Sequence, residues 1–193
     1  MSRLALFAYG SLVNPHSASR TLGRPVEASA VVRVAGWRRR WSTMRDNLAC
    51  EKTFARAVDG VLLRHVLGLN LEPSDDDGDA PNGVLLELDE DELERLDLRE
   101  LRYDRIELTD RIERPRGIDA VFAYRAKPAH YAPQPVGDAV IISSYAAFVE
   151  AAFEALGDGQ RKLYLETTGP PPVEVIDAVL VRDRIPAGNP RDW

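Results

Sequence analysis

Apolar residues come in short bursts along this chain, and each burst ends at a glycine, a proline or a polar cluster. Leu4 to Tyr9 stops at Gly10-Ser11, the pattern of a buried strand closed by a turn. Val31 to Trp41 alternates on either side of Gly36, through Val32, Val34, Trp37, Arg39 and Trp41, and predicts one longer strand bent at that glycine. Val61 to Leu71 is a third β-rich stretch, halted by Pro73. Residues 74 to 83 have no apolar period and dense turn chemistry, so a loop is expected before strand character returns over Gly83 to Leu88.

Asp89 then opens a short helix. Glu92, three positions on, is the reciprocal partner of a capping box, and Leu93 and Leu96 supply the buried face. Arg102 to Ile112 and Asp119 to Tyr124 predict further strands, which puts Glu100 at a helix-to-strand junction. Lys127 to Pro135 contains three prolines and no regular element is expected there. The clearest helix begins near Ser143 or Ser144, with Tyr145, Phe148, Val149, Ala152, Phe153 and Leu156 on one stripe and Gly157 as its stop. A shorter one is predicted from about Asp158 to Leu165, ended by Gly169-Pro170-Pro171-Pro172. Beyond Val181 the tail reads as extended and irregular. Strands outnumber helices and follow one another directly. That favours an α+β fold, a mixed, strongly curved β-barrel with flanking helices, in a single domain over residues 1–193.

Composition narrows the function classes. A net charge of −6 gives no general attraction to nucleic acid or to anionic membrane surfaces. No apolar run approaches the roughly 18 residues that span a bilayer, and the opening apolar stretch is too short for a signal peptide, so a soluble, cytoplasmic protein is expected. Cys50 stands alone, which rules out an internal disulfide and any all-cysteine zinc site and suits a buried, unreactive thiol.

Several candidate chemistries fail on register. Asp75, Asp77 and Asp79 have the spacing of the first ligands of a calcium loop, but Ala80 stands where its glycine belongs and Leu86 where its bidentate glutamate belongs. Trp37-Arg38-Arg39-Arg40-Trp41 mixes aromatic and basic residues, yet on a strand the three arginines point to alternate faces. His16, His65 and His130 are isolated, and no metal site is indicated. There is no Gly-x-Ser-x-Gly elbow, phosphate-binding loop or dinucleotide glycine triplet. A two-carboxylate glycosidase stays open, since acidic residues abound, although no single pair is marked out.

One constellation survives. Phe7-Ala8-Tyr9-Gly10-Ser11-Leu12 on the first strand is followed by Gly83-Val84-Leu85-Leu86-Glu87-Leu88, a short helix, and Leu96-Asp97-Leu98-Arg99-Glu100-Leu101-Arg102-Tyr103. In this order the segments resemble the γ-glutamylcyclotransferase-like family, with its Tyr-Gly-Ser-Leu turn and its glutamate leading into a strand. Arg99 to Tyr103 and Leu12 lean toward the bacterial glutathione-specific branch. Ala120 to Tyr124 resembles the family strand whose tyrosine lines the site. The likeness covers residues 4 to 126, and the helical segment and tail from about 143 to 193 are less recognisable.

The resemblance implies cyclisation of a γ-glutamyl group to 5-oxoproline with release of an amine or amino acid. It implies Glu100 as general acid and base, Tyr9, Gly10, Ser11, Leu12 and Tyr124 as substrate-binding residues, a small-molecule γ-glutamyl substrate, and no cofactor. The chemistry is demanding: an unperturbed glutamate near 4.3 is about 3.5 units too acidic for an α-ammonium near 7.8, so burial and geometry must narrow the gap. Arg99 and Arg102 would oppose a stronger base if they pointed inward. A Gly-Ser turn after a strand presents successive backbone N–H groups to a carboxylate or oxyanion, and the glycine lets the backbone approach closely. A second reading keeps the barrel and its pocket as a small-molecule-binding or interaction module without turnover.

Overall fold

A computed structural model describes residues 3–28, 30–76, 78–135 and 137–189 of the chain. The chain order is β1 (Leu4–Ala8), α1 (Pro15–Leu22), β2 (Ala30–Arg33), β3 (Trp37–Asp46), β4 (Lys52–Arg56), β5 (His65–Pro73), β6 (Asn82–Leu88) and α2 (Glu90–Arg99). It continues through β7 (Tyr103–Glu107), β8 (Ala120–Ala126), β9 (Ala139–Ile142), α3 (Ser143–Ala155), α4 (Gln160–Glu166), β10 (Val175–Ile176) and β11 (Ala178–Asp183). This is the mixed α+β class expected. Hydrogen bonding divides the strands into three sets, ordered β2-β6-β1-β8-β7, β10-β9-β5-β3 and β11-β4, with no single closed ring among the described residues.

β1 is apolar throughout because it is central. It pairs antiparallel with β6, Phe7 opposite Leu85, and parallel with β8, Ala5 opposite Val121, and all five of its residues are buried. One core joins it to Leu67, Leu69 and Leu71 of β5, Trp41 of β3, and Val149 and Phe153 of α3. Gly83 of β6 lies so close to β1 that an added Cβ would meet the Ala8 carbonyl and stand 2.6 Å from the Phe7 ring.

The strand expected from Val31 to Trp41 is two. β2 belongs to the first sheet and β3 to the second, and Gly36, at φ +74°, turns the chain between them. The expected alternation of the arginines holds: Arg38 is exposed, while Arg39 is completely buried. The Arg39 guanidinium lies 4.7 Å from the Phe153 ring centre and 4.8 Å from that of Tyr164. It donates to the Asn82 carbonyl and to Thr168 Oγ1 at 3.0 Å, and so pins α3 and α4 to the sheets. Burial away from any carboxylate lowers its pKa to about 10.

The proline-bearing segment forms only a short 3-10 turn at Pro128–His130 and lies across β3, Ala132 N–H donating to the Ser42 carbonyl at 2.8 Å. The tail is more regular than expected, since β11 reaches Asp183 in antiparallel pairing with β4. Asp77 and Trp193, which the calcium-loop and tail readings touch, lie outside the described residues.

Candidate active site

The chain leaves β1 at Tyr9, which is buried with its hydroxyl donating to the Tyr124 carbonyl at 2.6 Å. Gly10 then leads into a 3-10 turn over Ser11–Val13. Asn14 ends that turn and caps α1, accepting from His16 N–H at 3.0 Å and Ser17 N–H at 3.1 Å, with Pro15 in the first helical position where its missing N–H costs nothing. The loop is thus held from both sides. At Gly10 an added Cβ would sit 3.6 Å from the Tyr145 hydroxyl, an ordinary contact, and φ is −132°. No protein atom demands glycine there; what the absent side chain keeps open is the cavity that Gly10 lines.

α2 begins with the capping box expected of Asp89 and Glu92 and buries Leu93 and Leu96 against the core. Glu100 is its last cap. Its N–H donates to the Leu96 carbonyl at 2.8 Å, its own carbonyl accepts from Tyr103 N–H at 2.8 Å, and β7 starts at once. Successive residues on a helix diverge, but Glu100 has already left helical geometry, at φ −89° and ψ 44°, so its side chain turns back beside that of Arg99. Arg99 Nε lies 3.1 Å from Glu100 Oε1. The same guanidinium donates to Ser11 Oγ at 3.2 Å, to Ser17 Oγ at 3.5 Å and to Thr21 Oγ1. Burial pulls the Arg99 pKa down and the Glu100 charge pushes it back up. As an arginine it stays a cation at neutral pH. Of the two arginines flanking Glu100, Arg99 turns inward, while Arg102 pairs with Glu51 at 2.8 Å.

Tyr9, Gly10, Ser11, Leu12, Glu100 and Tyr124 line one cavity of about 470 Å³. Arg99, Tyr103 and Tyr145 line it too. The phenols are held by the frame: Tyr124 donates to Asp97 Oδ1 at 2.7 Å, Tyr103 donates to the Leu69 carbonyl at 2.9 Å, and Tyr145 stands edge-on to Trp41. Desolvation pushes the pKa of Tyr9, Tyr103, Tyr124 and Tyr145 up, and the negative charge of Glu100 adds to the push in each. All four stay neutral across the physiological range. The arrangement is therefore a carboxylate and a guanidinium in contact, ringed by neutral hydroxyls, beside a turn whose first N–H groups have no intrahelical acceptor. Among the described residues no group of three His, Cys, Asp or Glu is placed to hold a metal ion, and no helix is long and apolar enough to cross a membrane.

Comparison of the sequence with protein-family models and with curated proteins gives no match. Comparison of the structure with solved structures does. A structure described as a γ-glutamyl cyclotransferase matches at a TM-score of 0.54 with 16% identity, covering 84% of this chain and 86% of that one. A human protein described as uncharacterised matches at 0.55, also with 16% identity, covering 84% and 87%. A yeast γ-glutamyl cyclotransferase described as specific to glutathione matches at 0.50 with 15% identity, covering 86% and 96%. The chain has the γ-glutamyl cyclotransferase fold.

On this γ-glutamyl cyclotransferase fold, the cavity is also lined by Arg99, Tyr103 and Tyr145, which the sequence does not single out. Arg99 is adjacent to Glu100 in sequence, and from sequence alone it reads only as an opposing charge. Tyr103 had a signal, in the Arg99-to-Tyr103 run that carried the resemblance. Tyr145 falls on the apolar stripe of α3, yet it is only half-buried and stands over Gly10.

Proposed function

We propose that the chain is a γ-glutamylcyclotransferase-type enzyme, acting as a single cytoplasmic domain, that cyclises the γ-glutamyl group of a small molecule to 5-oxoproline and releases an amine or amino acid. The observation that carries this reading is the shared cavity: Glu100 and the Tyr9–Leu12 turn line it together, and Arg99 touches both. Glu100 takes a proton from the substrate's α-ammonium, and the freed amine attacks its own γ-carbonyl carbon. The attacking nitrogen, now a secondary ammonium in the ring, releases its surplus proton to solvent, and the tetrahedral intermediate collapses as Glu100 returns its own proton to the departing nitrogen. The N–H groups of the turn receive negative charge, on the α-carboxylate or on the oxyanion that grows at the γ-carbonyl. Tyr124 shapes the wall. Because attack is intramolecular, folding the substrate into reactive geometry supplies much of the acceleration, and no cofactor enters.

The test is release of 5-oxoproline from glutathione and a panel of γ-glutamyl amino acids and amides by the purified protein. Turnover is expected in the wild type, with kcat at least about 100-fold lower in Glu100→Gln. Absence of 5-oxoproline from every substrate, or full activity in Glu100→Gln, refutes the proposal. A ligand recovered bound and chemically unchanged would instead favour a binding module.

A further inference from the structure

The cavity that contains Glu100 has a second set of walls, from β3, β4, α3, β11 and the segment after it, among them Arg45, Phe54, Phe148, Leu180 and Ile185. The cations there differ in one respect. Arg102 is engaged by Glu51, and Lys52 lies 3.4 Å from Asp183. Arg45 is stacked over Phe54, 5.2 Å from its ring centre, and no hydrogen bond or ion pair to another described residue holds its guanidinium. A desolvated cation without an acceptor is costly unless something supplies one. Arg39 shows the contrast, since its buried guanidinium has a carbonyl, a hydroxyl and two rings. Burial also pulls the Arg45 pKa down. Tyr103 lines the same cavity and senses both regions: desolvation and then the charge of Glu100 raise its pKa, while Arg102 and Arg45 lower it.

We propose that Arg45 determines specificity for the leaving group, its guanidinium receiving the carboxylate of the amino acid released while Phe54, Phe148, Leu180 and Ile185 receive that amino acid's apolar side chain. The inference rests on the reading of Glu100 and the Tyr9–Leu12 turn as the place where the glutamyl part binds. A γ-glutamyl amino acid carries one carboxylate at each end. With the glutamyl end at the turn, the far carboxylate meets the one cavity arginine that lacks a protein acceptor among the described residues. The planar guanidinium suits a bidentate carboxylate contact, and Phe54 beneath it fixes its orientation.

The experiment compares γ-glutamyl-leucine with γ-glutamyl-isopentylamide, the same amide lacking the carboxylate, and with γ-glutamyl-glycine, which lacks the apolar side chain. In the wild type kcat/KM is expected to favour γ-glutamyl-leucine over the isopentylamide by roughly 10- to 100-fold, the range of a charge-assisted hydrogen bond. Arg45→Met should bring that ratio to within about threefold of one, chiefly through KM, and Arg45→Lys should keep part of it. A wild-type ratio near one, or a ratio that Arg45→Met leaves intact, overturns the proposal. So does a preference for γ-glutamyl-glycine, as far as the apolar wall is concerned. Calorimetric titration of the same amides into Glu100→Gln separates the two readings. Carboxylate-dependent binding that disappears in Glu100→Gln/Arg45→Met upholds the role of Arg45 even where no turnover is found. Turnover without carboxylate preference removes Arg45 and leaves Glu100 standing, and failure of every amide to bind at millimolar concentration overturns the Arg45 proposal outright.

Discussion

Replacing Arg99 by methionine should destabilise the protein and disable the candidate site together, because this one side chain joins Glu100 to the Tyr9–Leu12 turn. The Arg99 side chain is 2% exposed and that of Glu100 18%, so solvent screens the pair only in part. With Nε and Oε1 3.1 Å apart, the charge centres lie about 4 Å from one another, and an effective dielectric near 20 gives about 4 kcal/mol of attraction. Loss of the contacts to Ser11, Ser17 and Thr21 adds to this, while methionine avoids the cost of desolvating a guanidinium. The balance is a net loss of about 2–3 kcal/mol, or roughly 4–12 °C in melting temperature for a domain of this size. A double-mutant cycle over Arg99→Met, Glu100→Gln and the pair, measured by urea denaturation, isolates the term. A coupling above about 1 kcal/mol is expected. Additive effects, or a fully active Arg99→Met enzyme, would refute the claim that the guanidinium ties the two halves of the site.

Three other outcomes follow from particular contacts. Gly83→Ala should cost several kcal/mol and reduce soluble yield, since its Cβ must push aside the Ala8 backbone carbonyl and the Phe7 ring; differential scanning fluorimetry reads the loss, and a melting temperature within about 2 °C of wild type would contradict the packing. The Glu92 pKa is held down first by its hydrogen bond from Arg24, so its contribution is present above about pH 4.3, the unfolded value, and is lost as pH falls through the depressed folded value. Wild type should therefore exceed Glu92→Gln in stability at pH 6 by less than about 1 kcal/mol, because Arg24 is half exposed, and the gap should close by about pH 2.5. All six tyrosines have pKa values raised above 10, with burial the leading cause, so their neutral forms favour the fold below about pH 10 and this stability is lost as pH rises beyond it. Absorbance at 295 nm should climb steeply together with loss of circular dichroism above pH 11; a smooth titration centred at pH 10 in a folded protein would be incompatible with the buried phenols.

What the sequence made legible was whatever rests on local chemistry. The capping box of Asp89 and Glu92, the apolar run of β1, the bend at Gly36 and the stripe of α3 are each written within a dozen residues. α1 was missed for a physical reason. The residues it buries are Ser17, Ala18, Thr21 and Leu22, so hydrophobic periodicity is faint, although Asn14-Pro15 and Gly23 mark its ends. β4 and β11 were missed because each is a weak strand that becomes one by pairing with a partner more than a hundred residues away. Of the candidate site, the sequence marks the cavity-lining residues that carry the family likeness, and not those that join them through tertiary contact. Nothing local says that Arg99 turns inward while Arg102 turns to Glu51.

The composition of α1 is itself an argument about how the site is built. Its buried face is poor in large apolar groups, and it packs on α2 through polar contacts: Arg95 Nε donates to the Thr21 carbonyl at 2.5 Å, Arg24 bonds to Glu92, and Arg99 reaches Ser17 and Thr21. A helix docked only by apolar area could slide by fractions of an ångström at small cost. One docked by directional hydrogen bonds to the buried Arg99 guanidinium cannot, because each bond displaced there leaves a desolvated donor. α1 continues directly from the Ser11–Val13 turn, and α2 ends at Glu100. Locking the two helices in register therefore fixes the turn relative to the carboxylate, and Ser17 and Thr21 are site-building residues although neither lines the cavity. Thr21→Val, which keeps the shape and removes the acceptor, should lower kcat/KM for any γ-glutamyl substrate by roughly tenfold while shifting the melting temperature by only about 2–4 °C. Unchanged kinetics in that variant would mean that the register of α1 is set by something other than Arg99.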